Sequence, residues 1–335
     1  MLELRDVTRT AGREPVLARV NLTFSRDRPM AVLGLSASGR ETLLRLLAGA
    51  DKPQSGSLRL DGKDIAQARR ERGKIVRVGA SGLPKSGQKV AKLVDAEAAA
   101  RVRLAGRMGA QVSDLDLDQR LRLAIARARA EKPGLILLDA PSVGLDLEIR
   151  ERFVADLKTM LADTGAVVVL IAASADEARG LDGQVAVFAG GRVLQEGRAA
   201  EVFAHPGNLD VAVATSFPRL NTLAMTAHDG RGMLADGSRF QPPEGLPWPM
   251  EGNCTLAFHP DDMRLERAGA GCLRFVVRAA GEETIGGRRF VRVMFADASW
   301  LTPQPAAAPH AGAVLNAFVE RSRLMAFDAS GKAIG

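Results

Sequence analysis

The sequence predicts an α/β domain with a mixed sheet and a helical subdomain, followed by an all-β domain of the OB-like barrel type. The chain has 335 residues, and at about 150 residues per domain this length predicts two domains. Helical patterns precede two apolar strands, 135–139 and 167–172, as in a parallel sheet. From residue 210 onward, short strands alternate with Gly and Pro. We therefore expect domains at 1–209 and 210–335, with the helical subdomain at about 80–130.

The first domain begins with two segments, 2–7 and 16–24, in which apolar and polar residues alternate. This pattern predicts two strands of an antiparallel sheet. A short apolar strand at 30–33 then leads through the glycine-bounded loop 34–39 into an amphipathic helix at 40–48. A strand that passes through such a loop into a helix is the context that a phosphate-binding loop requires.

The second domain contains regularly spaced short strands, which predict a small β-barrel or sandwich. Pro-rich segments at 240–247 and 303–309 separate some of these strands and are predicted to be loops. The predicted strands are 255–258, 273–278, 290–295 and 313–319.

The distribution of His, Tyr and Trp excludes several kinds of site from the first domain. The chain has no Tyr, and its two Trp and four His all follow residue 204. A His-based triad, a zinc site with imidazole ligands and a stacking platform of Tyr or Trp are therefore excluded from residues 1–204. Cys254 and Cys272 have no metal-ligand spacing and predict two buried thiols in a reducing compartment.

Charge and hydropathy favour a soluble protein. The sequence begins without the pattern of a signal peptide, and no apolar run reaches the roughly 18 residues that span a bilayer. The net charge of +7 favours an anionic partner only weakly, since a solvated basic surface explains it as well. The charged segment 69–74 is interpreted as a solvated helix end, and no nucleic-acid partner is expected.

The order of the motifs resembles the nucleotide-binding subunit of an ABC transporter, in the branch that serves sugar, polyol and glycerol-phosphate importers. The resemblance covers nearly the whole chain and implies a P-loop ATPase domain followed by a regulatory barrel. In the first domain it rests on residues 34–42, 56–64, 115–128 and 137–146, and in the second on 258–265 and 326–331.

The phosphate loop departs from the pattern G-x-x-x-x-G-K-[ST]. Arg40 occupies the place of the lysine, and its planar guanidinium is no simple replacement for a compact ammonium. Glu41 occupies the place of the magnesium-binding hydroxyl, and Thr42 lies one position too late. ATP and Mg²⁺ binding at this chain's own site is therefore expected to be weak or absent. The whole candidate loop comprises Gly34, Leu35, Ser36, Ala37, Ser38, Gly39, Arg40, Glu41 and Thr42.

Four positions that carry nucleotide- or water-contacting side chains in the family are alanine here. By the resemblance, Asp139 is the retained carboxylate that supports magnesium through water, and the next residue should be the glutamate that polarises the attacking water. That residue is Ala140, which cannot accept a proton. The other three places, for the γ-phosphate histidine, the glutamine and the adenine-stacking aromatic, are Ala173, Ala80 and Ala11. No catalytic residue and no intrinsic metal site are expected.

The signature loop, L-S-G-G-Q in the family, reads Leu115-Asp116-Leu117-Asp118-Gln119. The resemblance implies that this loop faces the ATP of a partner subunit, where Asp116 and Asp118 would place negative charge near a triphosphate. We expect Asp116 to be the N-cap of the following helix. Asp146 corresponds to the loop that couples the two sites, although an N-cap is an equally good interpretation.

These departures predict a degenerate subunit that pairs with a second, active ATPase under two integral-membrane permease subunits. A periplasmic solute-binding protein would act with it indirectly, and the chain would lie at the cytoplasmic face of the bacterial inner membrane. Two alternatives remain open. In one, the chain hydrolyses ATP with Glu41, Asp116 or Asp118 as compensating carboxylates. In the other, it is a soluble regulatory binding module without membrane subunits.

Overall fold

The computed structural model describes residues 1–34, 37–71, 74–80, 82–84, 87–235, 237–266 and 271–334, without the side chains of residues 37 and 38. The chain forms two compact units, Met1–His205 and Pro206–Gly335. This division precedes the predicted boundary between residues 209 and 210. The boundary lies earlier because Leu209 packs against Ala257 and Phe327, which are core residues of the second unit.

Two sheets form the first unit. An antiparallel sheet has the order β2-β1-β4-β5, and a six-stranded, mainly parallel sheet has the order β10-β9-β3-β8-β7-β6. The predicted antiparallel pair and the three predicted apolar strands are confirmed. The strands are β1 Leu2–Ala11, β2 Glu14–Phe24, β3 Met30–Leu33, β4 Ser55–Leu60, β5 Lys63–Asp64, β6 Ile75–Gly79, β7 Leu135–Asp139, β8 Val167–Ile171, β9 Gln184–Ala189 and β10 Arg192–Arg198.

Helix α1 packs between the two sheets because its apolar side chains recur at helical spacing. Leu43, Leu44 and Leu47 are buried in one cluster with Leu4 of β1 and Val169 of β8. Residues 87–130 contain two helices and three short 3-10 turns, in the region predicted to be a helical subdomain. The helices of this unit are α1 Ala37–Leu47, α2 Ile65–Arg70, α3 Ala96–Arg101, α4 Leu117–Ala130, α5 Leu147–Leu161, α6 Ala175–Leu181 and α7 Ala199–Ala204.

The second unit is rich in strands, as predicted, and its barrel-like core lies between two antiparallel five-stranded sheets. Their orders are β13-β12-β11-β14-β20 and β15-β19-β16-β17-β18. All four predicted strands are present. The elements are α8 Leu209–Ala214, β11 Asn221–His228, β12 Arg231–Met233, β13 Arg239–Phe240, β14 Gly252–Phe258, β15 Met263–Arg264, β16 Cys272–Ile285, β17 Arg288–Phe295, β18 Ala298–Pro303, β19 Val314–Glu320 and β20 Met325–Asp328.

An aromatic cluster holds this second core together. Trp300 is fully buried and meets Phe258 and Phe275 edge-on, with ring centroids 5.0 and 5.1 Å apart. Its indole N–H donates to the carbonyl of Thr222, which satisfies the polar atom of the buried ring. Of the two thiols, Cys254 is buried as predicted. The prediction of a buried thiol is wrong for Cys272, which is half-buried as the first residue of β16.

Among the described residues, no helix is both long and apolar enough to cross a bilayer.

Candidate nucleotide-binding site

The carboxyl ends of adjacent parallel strands bring most of the predicted residues to one edge of the larger sheet. Gly79, at the end of β6, pairs with Asp139 at the end of β7, and Asp139 pairs with Ile171 of β8. Ligands of open α/β sheets bind at this edge. Ala80, Ala140 and Ala173 follow these strand ends, so the structure places the three alanines in neighbouring loops.

The phosphate loop leaves β3 at Gly34 in a conformation that requires glycine. The φ angle of Gly34 is 82°, and a Cβ there would lie 2.2 Å from the carbonyl oxygen of Phe188. Leu35 and Ser36 lie outside the described residues, and α1 begins at Ala37. The helix thus begins before the predicted start at residue 40, so residues 37–39 belong to α1 and not to the predicted loop 34–39.

The two substituted positions at the start of α1 differ in exposure. Arg40 is half-buried and Thr42 is half-buried, whereas Glu41 is exposed, with 56% of its side chain accessible. The carboxylate of Glu41 extends toward β6, and its Oε2 lies 3.8 Å from Nη2 of Arg77.

Arg77 also binds the retained carboxylate of Asp139. Its Nη2 donates to Asp139 Oδ2 at 2.6 Å, and the two side chains are 32% and 19% exposed. Arg77 belongs to no motif of the family pattern quoted above. The signal in the sequence was a charged residue between the apolar positions of the short strand 75–79. The guanidinium thus lies between the two acidic groups of the site.

The acidic groups do not fit a bound magnesium ion. Mg²⁺ requires a small octahedral set of oxygen ligands and retains several waters. Here the place of the ligating hydroxyl holds Glu41, and one oxygen of Asp139 already accepts a short, charge-assisted bond from Arg77. A divalent cation at this position would compete with the guanidinium for Asp139 and would lie close to its positive charge.

Ala140 continues β7 in a left-handed conformation, with a φ angle of 42°. Its amide donates to the carbonyl of Ile171 at 2.9 Å, and the residue is 8% exposed. The methyl group has neither a lone pair nor a proton to exchange, so it cannot activate water. Ala173 and Ala80 are exposed beside it, and Ala11 is exposed at the end of β1.

Glu177 is a residue that the sequence analysis missed. This carboxylate on α6 is fully buried and accepts the amide of Ser142 at 2.8 Å and the amide of Ala173 at 2.6 Å. It therefore joins the loop after β7 to the loop after β8. The available signal was an acidic residue on the apolar face of a short helix, beside the buried Ala178 and Leu181.

The signature loop is built as a helix cap. The Asp116 side chain accepts the amide of Gln119 at 2.8 Å, and Gln119 reaches back to the backbone of Asp116 in a capping box. The expected N-cap is therefore present, with Leu117 as the first helical residue. Asp146 occupies the N-cap position of α5, as the alternative interpretation predicted. Its side chain, however, makes no capping hydrogen bond there.

Asp118 belongs to an ion-pair network on α4 and α5. Arg122, which is buried, donates to Asp118 at 2.9 Å and to Asp156 at 2.9 Å. Arg103 completes the network with a contact of 2.7 Å to Asp156. A cavity of about 290 Å³ lies beside these groups and is lined by Arg103, Asp116, Asp118, Gln119, Arg122, Ile149, Arg152 and Asp156.

A buried strand followed by a helix, an acidic strand end and a capped helix at 117–130 agree with an ATP-binding cassette domain. The family model described as "ABC transporter" matches residues 17–143. A spermidine/putrescine import ATP-binding protein PotA from Pseudomonas aeruginosa (strain UCBPP-PA14) is 32% identical over 289 residues, which cover 80% of this chain and 79% of that protein. The chain belongs to the family of ABC transporter ATP-binding subunits.

Other relatives carry different solute names. The sulfate/thiosulfate import ATP-binding protein CysA 2 of Chromobacterium violaceum is 29% identical over 307 residues, which cover 85% of this chain and 81% of that protein. Among solved structures, cbiO1 from Clostridium perfringens, part of the cbiONQ complex, matches with a TM-score of 0.54 and 25% identity. That match covers 61% of this chain and 90% of cbiO1.

Proposed function

We propose that this chain is a nucleotide-binding importer subunit that does not hydrolyse ATP and that pairs with a second, active ATPase. The observation that carries the proposal is the end of β7, where Arg77 holds Asp139 at 2.6 Å and the next residue is Ala140. The carboxylate that should support the metal is thus paired with a cation, and the group that should activate water is a methyl.

The rate acceleration that the missing side chains would provide is large, which supports the absence of ATP hydrolysis. A positioned general base accelerates a reaction by typically about 10²- to 10⁴-fold. Residue 140 cannot supply this group, and Ala173 offers no side-chain donor to a γ-phosphate. Two copies of this chain would lack these groups at both sites of a homodimer, so the active site has to be supplied by a different subunit.

The signature loop of this chain presents less free negative charge to a partner's ATP than its sequence suggests. Asp118 would repel a triphosphate if its charge were free, but Arg122 neutralises it at 2.9 Å. Asp116 is engaged as the helix cap. The Asp116 carboxylate thereby takes the N-terminal amide of Gln119 that a phosphate could otherwise use. The partner's ATP would meet this capped helix with Leu117 in a place where the family pattern has a glycine.

The alternative of an active ATPase with compensating carboxylates receives less support. Asp116 is used by the helix, Asp118 by Arg122, and Glu41 lies 3.8 Å from Arg77. Asp116 and Asp118 therefore already accept hydrogen bonds within the chain, and Glu41 lies beside a guanidinium.

The proposed setting is the cytoplasmic face of the inner membrane, beneath two integral-membrane permeases and indirectly a periplasmic solute-binding protein. The relatives' names, import ATP-binding proteins, support this setting. For the solute, the resemblance at 258–265 and 326–331 favours a carbohydrate, a polyol or glycerol phosphate. The relatives, in contrast, are named for spermidine/putrescine and for sulfate/thiosulfate. We retain the first class as the proposal, and transport assays on the assembled importer test it.

Phosphate release by the purified chain tests the absence of hydrolysis. With ATP and MgCl₂, we expect the wild-type chain to release phosphate no faster than the Asp139→Asn variant. Turnover that disappears in Asp139→Asn would contradict the proposal. In the assembled complex, replacing the catalytic glutamate of the partner ATPase separates the alternatives, because turnover would survive that change only if this chain hydrolyses ATP as well.

Co-purification tests the partners. We expect the chain to be recovered from membranes with a second ATP-binding subunit and two permeases. Recovery without any integral-membrane protein would support the third interpretation, a soluble regulatory module.

A further inference from the structure

The side chain of Arg77 reaches the metal region because the neighbouring position on its face of β6 is a glycine. Residues 77 and 79 project to the same face of a strand. A Cβ at Gly79 would lie 3.0 Å from the Cβ of Asp139, so any side chain there would stand against Asp139. The glycine leaves this face open, and the guanidinium extends along it to the carboxylate.

The guanidinium satisfies the two acidic groups that a metal would otherwise neutralise. Arg77 Nη2 lies 2.6 Å from Asp139 Oδ2 and 3.8 Å from Glu41 Oε2. An arginine stays protonated at all working pH values. A magnesium ion in this place would face a fixed positive charge and would lose a direct or water-mediated contact to Asp139.

We propose that Arg77 takes the place of magnesium, so that this chain binds ATP as the metal-free anion. Arg77 neutralises Asp139 and lies beside Glu41, as a divalent ion otherwise would. Arg40, in the lysine place of the loop, leaves a positive charge for the phosphates. The inference rests on the proposed function, because a site without magnesium cannot support the hydrolysis that the metal assists in this family.

Calorimetric titration of the full-length chain with ATP tests this inference. In excess EDTA, we expect binding that is at least as tight as in saturating MgCl₂. If magnesium tightens binding by about tenfold or more, as a metal bridging protein and phosphates would, the inference is overturned. Absence of ATP binding in both buffers overturns it as well.

The Arg77→Met variant keeps the length of the side chain and removes the charge. We expect this variant to bind ATP more weakly in EDTA and to gain a dependence on magnesium, by about tenfold or more. The matched control is Arg59→Met, an exposed arginine on β4, which should behave as the wild-type chain. A variant that remains indifferent to magnesium and binds as tightly as wild type would overturn the assignment to Arg77.

The wild-type titration decides the inference even if Arg77→Met does not fold. Its outcome can be distinguished from that of the proposed function. A chain that requires magnesium to bind ATP but releases no phosphate would overturn this inference alone, whereas a chain that hydrolyses ATP would overturn the proposed function.

Discussion

Arg122 of α4 and Asp156 of α5 form a buried ion pair at 2.9 Å, with side chains that are 6% and 8% exposed. The guanidinium of Arg122 also lies 5.5 Å from the centre of the Phe153 ring, on the same helix as Asp156. This contact fixes the helix that follows the signature loop to its neighbour, independently of any nucleotide.

Replacing Arg122 should therefore destabilise the first unit. In Arg122→Met, Asp156 would remain buried with only the largely exposed Arg103 as partner. Breaking a buried pair in this way costs about 3 kcal/mol of unfolding free energy or more. We expect the urea transition followed by far-UV circular dichroism to move to lower denaturant concentration.

Two controls accompany that measurement. The exposed Arg107 offers a matched variant, Arg107→Met, which should change the unfolding free energy by no more than about 0.5 kcal/mol. Both tryptophans, Trp248 and Trp300, lie in the second unit, so their fluorescence follows that unit and should not shift. An unchanged circular-dichroism transition in Arg122→Met would show that the pair contributes no net stability.

Adding the missing glutamate should not by itself create an ATPase. In Ala140→Glu, Asp139 would still be bound to Arg77, and residue 173 would still be alanine. We expect phosphate release to stay at the level of Ala140→Gln, the variant of matched size without a carboxylate. Turnover in Ala140→Glu that is absent from Ala140→Gln would mean that residue 140 alone limits hydrolysis.

The carboxylate of Asp61 predicts a pH dependence of stability. Its partial burial opposes ionisation, but hydrogen bonds from the Met1 ammonium, Arg26 and Lys74 outweigh this effect and hold its pKa well below the ordinary value. The folded-state pKa is thus depressed. The stabilisation is fully present above the unfolded-state pKa of about 3.9 and is lost as the pH falls through the folded-state pKa.

Asp61→Asn should therefore lower the unfolding free energy by about 1 kcal/mol near pH 7, with a smaller difference from wild type below about pH 3. Urea unfolding at the two pH values measures both quantities. Glu151→Gln, at an exposed position on α5, controls for the loss of one negative charge. A difference that stays constant across this pH range would contradict the contribution of Asp61 ionisation.

Periodicity alone predicted most elements of this fold. The apolar strands and the alternating strands of both units were found because burial dictates their spacing. The cap at Asp116 was also predictable, because a short acidic side chain before a helix accepts a hydrogen bond from an amide of the first turn.

The contacts of Arg77 and Glu177 were not predictable in the same way. Arg77 binds Asp139 across two strands that are far apart in sequence, and its reach depends on Gly79. Glu177 is buried on an apolar helix face, and its carboxylate is satisfied by the amides of two loops that come together only in the folded chain. Both contacts join residues that are far apart in the sequence, so no regular spacing of residues indicates them.

Glu177 also has a mechanical consequence. One carboxylate accepts the amides of Ser142 and Ala173, so the loops after β7 and β8 are both hydrogen-bonded to the same side chain. Neither loop can move away from the other without leaving a buried charge partly unsatisfied, which is costly. A displacement of one loop is therefore expected to move the other loop with it.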